Sequence, residues 1–303
     1  MGCWGVPHPA LLNGEPRAAV KLIVISGRSG SGKSSALNAL EDAGFNCIDN
    51  FPINLLQSLV HNTLRDPLQK DANLAVCVDA RSHELERFPE ILLSIDRMDV
   101  DCQVIYLDAL SPTLVKRFSE TRRRHPLTGR DTDLRQAIDA EGQMLEAIAD
   151  LADLTIDTTR LSAKELTDTI TNRVIAGSAA GMSLLFRSFG FKHGVPVDAD
   201  LVFDLRCLPN PYWQMELRAL TGQDEEVSAY LDKQALVNEM FDDISGYLTR
   251  WIPRFQENAR VYMTVALGCT GGQHRSVYFA ERLSTHFSDQ FENVLVRHRE
   301  LGM

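Results

Sequence analysis

Eight residues near the amino end, Gly27-Arg28-Ser29-Gly30-Ser31-Gly32-Lys33-Ser34, constrain this chain more than any other stretch. They follow the β-branched run KLIVIS (21 to 26) at once and precede a helical pattern of Ala36, Leu37 and Leu40 that Gly44 closes. G-x-x-x-x-G-K-[ST] between a strand and a helix is the phosphate-binding P-loop. Its glycines let successive backbone N–H groups turn toward one anion, and the helix N-terminus adds about half a unit of positive charge. Lys33 is expected on the β- and γ-phosphates as the catalytic cation, and Ser34 on Mg²⁺.

The rest of the first half reads as the scaffold such a loop needs. Apolar runs at 74 to 78, 102 to 107 and 154 to 156 end at Asp79, Asp108 and Asp157, with helical patterns between them. Strands of that kind predict a parallel sheet buried on both faces, so the expected class is α/β: a P-loop NTPase-like sheet flanked by helices, followed by a C-terminal α/β domain. A strand-end carboxylate should hold Mg²⁺ through water, and Asp79 and Asp108 compete for that role. Ser162 and Glu165 have capping-box spacing for a helix ending near Gly177. The arginine-dense stretch KRFSETRRRHPLTGR (116 to 130) suits a phosphate-clamping lid or an exposed basic helix face, and His125-Pro126 would end its helix.

A small-residue segment, AGSAAG (176 to 181), marks the expected boundary between a nucleotide-binding domain (20 to 176) and a second domain (181 to 303), with 1 to 19 an unstructured extension. The second domain reads as strands at 183 to 189 and 200 to 206, an amphipathic helix through Val237, Met240, Ile244, Leu248 and Trp251 halted by Pro253, a strand at 261 to 267, and a helix from about Ser276. A second Gly-rich turn, Gly268-Cys269-Thr270-Gly271-Gly272-Gln273-His274-Arg275-Ser276, lies between the last two. Three readings stand for it: a nest for phosphate or a sugar phosphate, a thiol nucleophile at Cys269 with Arg275 in C-x5-R spacing, or a structural turn. Lys192 and His193, with Asp198, Asp200, Asp204 and Arg206 nearby, outline a further polar site.

Composition narrows the partners. The 303 residues carry 31 Lys plus Arg against 41 Asp plus Glu, a formal net charge of -10, which argues against broad adhesion to nucleic acid or anionic lipid. No stretch approaches the roughly 20 apolar residues that span a bilayer. The six cysteines (Cys3, Cys47, Cys77, Cys102, Cys207, Cys269) include no C-x-x-C pair, so a reducing cytoplasm is expected, without a zinc site or disulfide framework.

From about Lys21 to Arg299 the chain resembles the bacterial RapZ/YvcJ family of P-loop nucleotide-binding proteins. The matching stretches are GRSGSGKS (27 to 34), ALEDAGF with IDNFP (39 to 52), VDAR (78 to 81), ETRRRHPL (120 to 127), SFGFKHGVPVDAD (188 to 200), FDLRCLPNPYW (203 to 213) and GCTGGQHRSVY (268 to 278). The resemblance implies ATP and GTP binding with slow hydrolysis, a second nucleotide segment at Asp79-Ala80-Arg81-Ser82, and a homo-oligomer. It further implies an adapter that presents a small RNA to an endoribonuclease and responds to an amino-sugar phosphate, with both sites in the C-terminal domain. Enteric members end in clustered lysines and arginines, whereas Val296 to Met303 do not, and residues 181 to 303 net 12 - 16 = -4. Two other activities fit parts of the pattern: a small-molecule kinase, from the P-loop and arginine-rich lid, and a phosphatase, from the Cys269 turn.

Overall fold

The computed structural model describes residues 20–65, 73–82, 84–96, 100–121, 124–129, 132–175, 182–258 and 260–301. The expected extension (1 to 19) and boundary segment (176 to 181) lie outside the described residues, as do Arg122, Arg123 and Arg130 of the arginine-rich stretch. The first half runs β1 (Val20–Gly27), α1 (Lys33–Asp42), β2 (Asn46–Ile48), α2 (Leu56–Arg65), β3 (Asn73–Cys77), α3 (Phe88–Asp96), β4 (Val100–Asp108), α4 (Ser111–Thr121), α5 (Leu134–Met144), α6 (Glu146–Ala149), β5 (Leu154–Asp157) and α7 (Ala163–Ile170). Its five strands are all parallel, in the order β2-β3-β1-β4-β5.

Because side chains alternate along a strand, β1 serves two cores at once. Leu22 and Val24 join Val76 and Val104 against Leu56, Val60 and Phe88 on one face. Ile23 and Ile25 join Ala75 and Ile105 against Leu37, Leu40, Leu166 and Ile170 on the other. Burying each such side chain contributes about 1.5–3 kcal/mol, so the sheet holds the ends of β1 and β3 rigidly. Connections from β1 and β3 leave in opposite directions, which opens a crevice between the carboxyl ends of these neighbouring strands. The turn that follows β1 lies there.

The second half runs β6 (Ser183–Gly190), β7 (Leu201–Asp204), α8 (Glu225–Asp232), α9 (Ala235–Glu257), β8 (Tyr262–Cys269), α10 (Arg275–Ser288) and β9 (Val294–His298). Its sheet is also parallel, ordered β7-β8-β6-β9, and its crevice lies between β6 and β8. Leu184, Phe186, Met263 and Val265 face the helices, packed on the Val237, Phe241, Ile244 and Leu248 stripe of α9. Tyr262 and Thr264, on the opposite face, meet the first half. The Tyr262 hydroxyl donates to Gln103 Oε1 at 2.7 Å, and Arg173 Nη1 donates to Thr264 Oγ1 at 3.1 Å.

Three expectations need correction. Pro253 does not halt α9, which continues to Glu257; Pro253 faces solvent, and Ile252 and Phe255 hold the last turn on the core. The second sheet does not end at α10, because β9 adds an edge strand beside β6. The short β2 also extends the first sheet, a strand too brief and too exposed to show periodicity. The capping box at Ser162 forms as expected, with the Glu165 N–H on Ser162 Oγ and the Glu165 carboxylate on the Ser162 N–H.

Candidate functional site

The turn after β1 can exist only because its glycines accept what side chains refuse. Gly27, Gly30 and Gly32 have φ of 143°, 85° and 105°. A Cβ on Gly27 would lie 2.0 Å from the Leu107 carbonyl oxygen, and one on Gly32 would lie 2.5 Å from Leu166 Cδ2. The loop is held from outside by groups far away in sequence. Glu141 of α5 accepts from the Ser29 N–H and the Ser29 hydroxyl, each at 2.7 Å, and pairs with His125 Nε2 at 3.0 Å, with Glu141 and His125 out of solvent and Ser29 half-buried. Thr158 donates to the Ser31 carbonyl at 2.8 Å and Arg117 to the Gly30 carbonyl at 2.9 Å.

These ties turn carbonyls outward and leave amides inward. Among the described residues the N–H groups of Gly30, Gly32, Lys33 and Ser34 meet no protein acceptor, and the buried Ser31 hydroxyl has no partner either. Four orphan donors at the start of α1 form a concave anion nest. Lys33 folds its ammonium back onto the Gly27 carbonyl, the position from which it can swing to a phosphate.

A cavity of about 660 Å³ opens over this nest. Ser29 to Ser35 form its floor, and Asp49, Asp79, Arg81, Arg117 and Arg124 stand around it. Of the residues expected at the site, Ser29, Gly30, Ser31, Gly32, Lys33, Ser34, Asp79 and Arg81 therefore come together. Gly27 backs onto β4, and Arg28 turns away to Asp108 (2.7 Å), Ser111 and the Ala109 carbonyl. Ala80 is buried in the core, and the Ser82 hydroxyl accepts the Ile53 N–H. Asp108, committed to Arg28, is not part of the cavity wall, while Asp79 is. Arg81 grips the Asp79 carboxylate through Nε and Nη2.

Oxygen donors from Ser34, Asp79 and Asp49 beside a phosphate nest fit Mg²⁺, which takes one or two carboxylates plus phosphate oxygens and keeps its waters. No cluster of three or more metal-ligating His, Cys, Asp or Glu side chains occurs among the described residues. Asp49, Glu141 and Thr158 escaped the reading of the sequence. Asp49 sits in the quoted IDNFP stretch, whereas nothing local distinguishes Glu141 from any carboxylate on an amphipathic helix.

The second Gly-rich turn occupies the β6–β8 crevice, and its backbone approach is equally tight. A Cβ on Gly190 would meet Gly271 at 2.7 Å, and one on Gly272 would meet Glu300 Oε2 at 2.4 Å. Cys269, Thr270, Gly271, Gly272, His274, Arg275 and Ser276 are together here; Thr270 is exposed, but the side chains of Cys269, His274, Arg275 and Ser276 are buried. Cys269 Sγ, buried, accepts the Gly272 N–H at 3.2 Å and lies 3.2 Å from Ser276 Oγ. Arg275 Nη1 donates to the carbonyls of Leu205, Arg206 and Leu208. That pinning of the 205 to 208 turn weighs against the thiol-phosphatase reading, which needs the arginine on the phosphoryl group. His274 is buried with Nε2 on the Leu217 carbonyl, and burial lowers its pKa. Lys192 touches the turn through its backbone N–H on Thr270, while His193 lines a separate cleft.

Residues 20–178 match the family model described as the RapZ-like N-terminal domain, and residues 182–302 the one described as the RapZ C-terminal domain. A "nucleotide-binding protein" of Pseudomonas fluorescens is 53% identical over 290 residues, covering 93% of this chain and all of that protein. One from Hahella chejuensis is 51% identical over 285 residues with the same coverage. A shikimate kinase from Acinetobacter baumannii is 17% identical, with 52% of this chain and 94% of that one covered and a TM-score of 0.35. No helix among the described residues is long and apolar enough to cross a membrane.

Proposed function

The chain belongs to the RapZ family, whose relatives are named nucleotide-binding proteins, and on that footing we propose that it is a regulatory ATP- and GTP-binding protein with weak hydrolytic activity. The observation that carries this reading is the row of four unpartnered amides beside Lys33 under an open cavity. The nest would hold the β-phosphate, Lys33 would leave the Gly27 carbonyl for the β- and γ-phosphates, and Ser34 with Asp79 would hold Mg²⁺. That ion, when bound, supplies charge neutralisation at the transferring phosphoryl group.

Slow turnover follows from how the carboxylates are disposed. Asp49 and Asp79 are the acids in the cavity wall, Asp79 is clasped by Arg81, and Glu141 is fully occupied by Ser29 and His125. Of these three only Asp49, exposed and accepting the neighbouring Asn50 N–H on one oxygen, keeps room to orient water. Arg117 and Arg124 stand where a lid would grip phosphates, so a phosphoryl acceptor in the same cavity is the second reading.

For the second half the reading follows the family: the Cys269 to Ser276 turn as the sugar-phosphate sensor, and adapter action on a small RNA and its endoribonuclease by a cytoplasmic homo-oligomer. With a net charge of -4 over residues 181 to 303, RNA contact would come from a local basic patch, and RNA pull-down by the full chain at low salt tests it. For the nucleotide site, Mg²⁺-ATP and Mg²⁺-GTP titrated calorimetrically into wild type should give saturable heat, with an affinity that Lys33→Ala weakens by about tenfold or more without lowering the melting temperature. Wild type giving no heat would refute it. With γ-labelled ATP and metabolite extract, label only in inorganic phosphate supports hydrolysis, and label in an organic product supports the kinase.

A further inference from the structure

A second cavity, of about 300 Å³, lies in the cleft where the two halves meet, and cations dominate its wall. Arg187 of β6 and Arg297 of β9 are register partners on neighbouring parallel strands, so their side chains leave the sheet on the same face. Arg160 comes from the first half, and Arg299, His193 and His298 complete the basic lining. The two carboxylates in the same wall have other duties: Asp157 accepts from Thr159, and Glu165 closes the capping box at Ser162.

The arginines differ in how well they are answered. Arg187 pairs with the buried Asp198 at 2.5 Å, Arg299 with Glu300 at 2.8 Å, and Arg160 with Glu300 at 3.5 Å. The Arg297 side chain forms no ion pair or hydrogen bond among the described residues, although it is half-buried. Burial first, and then the neighbouring Arg187, lower its pKa, with Glu165 and Asp168 opposing. Two adjacent guanidiniums, one held only at a distance by Glu165 and Asp168, in a partly desolvated cleft raise the energy of the empty state, and a compact dianion lowers it. Guanidinium forks match phosphate oxygens in geometry as well as charge.

We propose that this cleft is a binding site for a small phosphate-bearing anion, recognised by Arg297 and Arg187 and distinct from both glycine turns. The segment from Asp157 to Glu165 walls it on one side, and Leu161 of that segment also lines the cavity over the first turn. An anion in the cleft therefore touches the segment that borders the nucleotide cavity, whatever occupies that cavity.

The test uses the full chain in chloride buffer, with inorganic phosphate and glycerol phosphate as probes in calorimetry and thermal melts. With the nucleotide cavity filled by saturating Mg²⁺-ATP, wild type should still bind both probes, and Arg297→Gln should weaken that binding by about tenfold or more, the scale of a lost charge-assisted contact. Without phosphate, Arg297→Gln should melt no lower than wild type, since no partner is orphaned. If Arg297→Gln fails to fold, Arg297→Lys, which keeps the charge and loses the fork, should bind several-fold more weakly than wild type. Binding unchanged in the Arg297 variants overturns the proposal, as does no binding by wild type. Failure here with Mg²⁺-ATP still bound would leave the nucleotide site standing.

Discussion

Two glycine-rich turns occupy the same place in two sheets, the crevice between the first and third strands of a parallel array whose first four strands are ordered 2-3-1-4. They differ in what their cations do. In the first, Lys33 holds only a carbonyl of its own loop, and the amides of Gly30, Gly32, Lys33 and Ser34 face a cavity of about 660 Å³. In the second, Arg275 pins three carbonyls, Cys269 takes the Gly272 N–H, and the Glu300 carboxylate packs against the Gly272 backbone. Both turns leave backbone amides without a protein acceptor among the described residues, so what separates them is the cation: Lys33 is free to move to a ligand, whereas Arg275 Nη1 is committed to the 205 to 208 turn.

The comparison breaks first on the glycines. Gly27→Ala would drive a Cβ to 2.0 Å from a backbone oxygen at φ 143°, whereas Gly271 has nothing within 4 Å of its Cβ position. Urea unfolding should show Gly27→Ala losing on the order of 3 kcal/mol or more, and Gly271→Ala changing by less than about 0.5 kcal/mol. Equal losses would mean that the second turn is packed as closely at Gly271 as it is at Gly272.

The cations give the next contrast. Lys33→Ala should leave the melting temperature unchanged and weaken Mg²⁺-ATP binding by roughly 10- to 150-fold, the worth of a charged hydrogen bond of about 1.5–3 kcal/mol. Arg275→Ala should do the reverse, costing about 1–3 kcal/mol of stability by stranding carbonyls of the 205 to 208 turn and leaving Mg²⁺-ATP affinity alone. Calorimetry and melts on the two variants separate the roles. A smaller effect divides Asp79 from Asp108. Titrating Mg²⁺ against nucleotide affinity should show the metal enhancement shrinking several-fold in Asp79→Asn and persisting in Asp108→Asn, whose carboxylate serves Arg28.

How much of this was legible depended on how local each cause is. The P-loop could be read because Gly27, Gly30, Gly32 and Lys33 act through backbone geometry within eight residues. The β-branched cores of β1, β3 and β4 could be read because burial on both faces forces continuous apolar runs. Asp79 and Asp108 looked alike, each following an apolar strand. Only Arg28, reaching 80 residues along the chain to Asp108, separates them. Glu141 and His125 were opaque for the same reason: their value lies in meeting Ser29 across 112 residues and each other across a helix end. Cys269 and Arg275 had suggestive spacing, but spacing does not reveal that the arginine is committed to carbonyls.

The weakest of the expected differences concerns pH and belongs to the second turn alone. His274 is buried beside Arg275, its Nε2 meeting the Leu217 carbonyl at 3.2 Å, so the neutral ring with a proton on Nε2 suits the fold. Burial lowers its pKa, Arg275 acts the same way, and the backbone carbonyls and Asp224 oppose. A histidine whose folded pKa lies below the unfolded value of about 6.5 binds fewer protons in the native state, so stability rises with pH through that window. The contribution is complete above about pH 6.5 and is lost as acid protonates the unfolded chain first. His274→Gln, which keeps a donor for Leu217, should therefore gain on wild type as pH falls from about 7 to 5 and match it near neutrality. Melts across that range check it, and a gap that does not vary with pH would place the titrating group elsewhere.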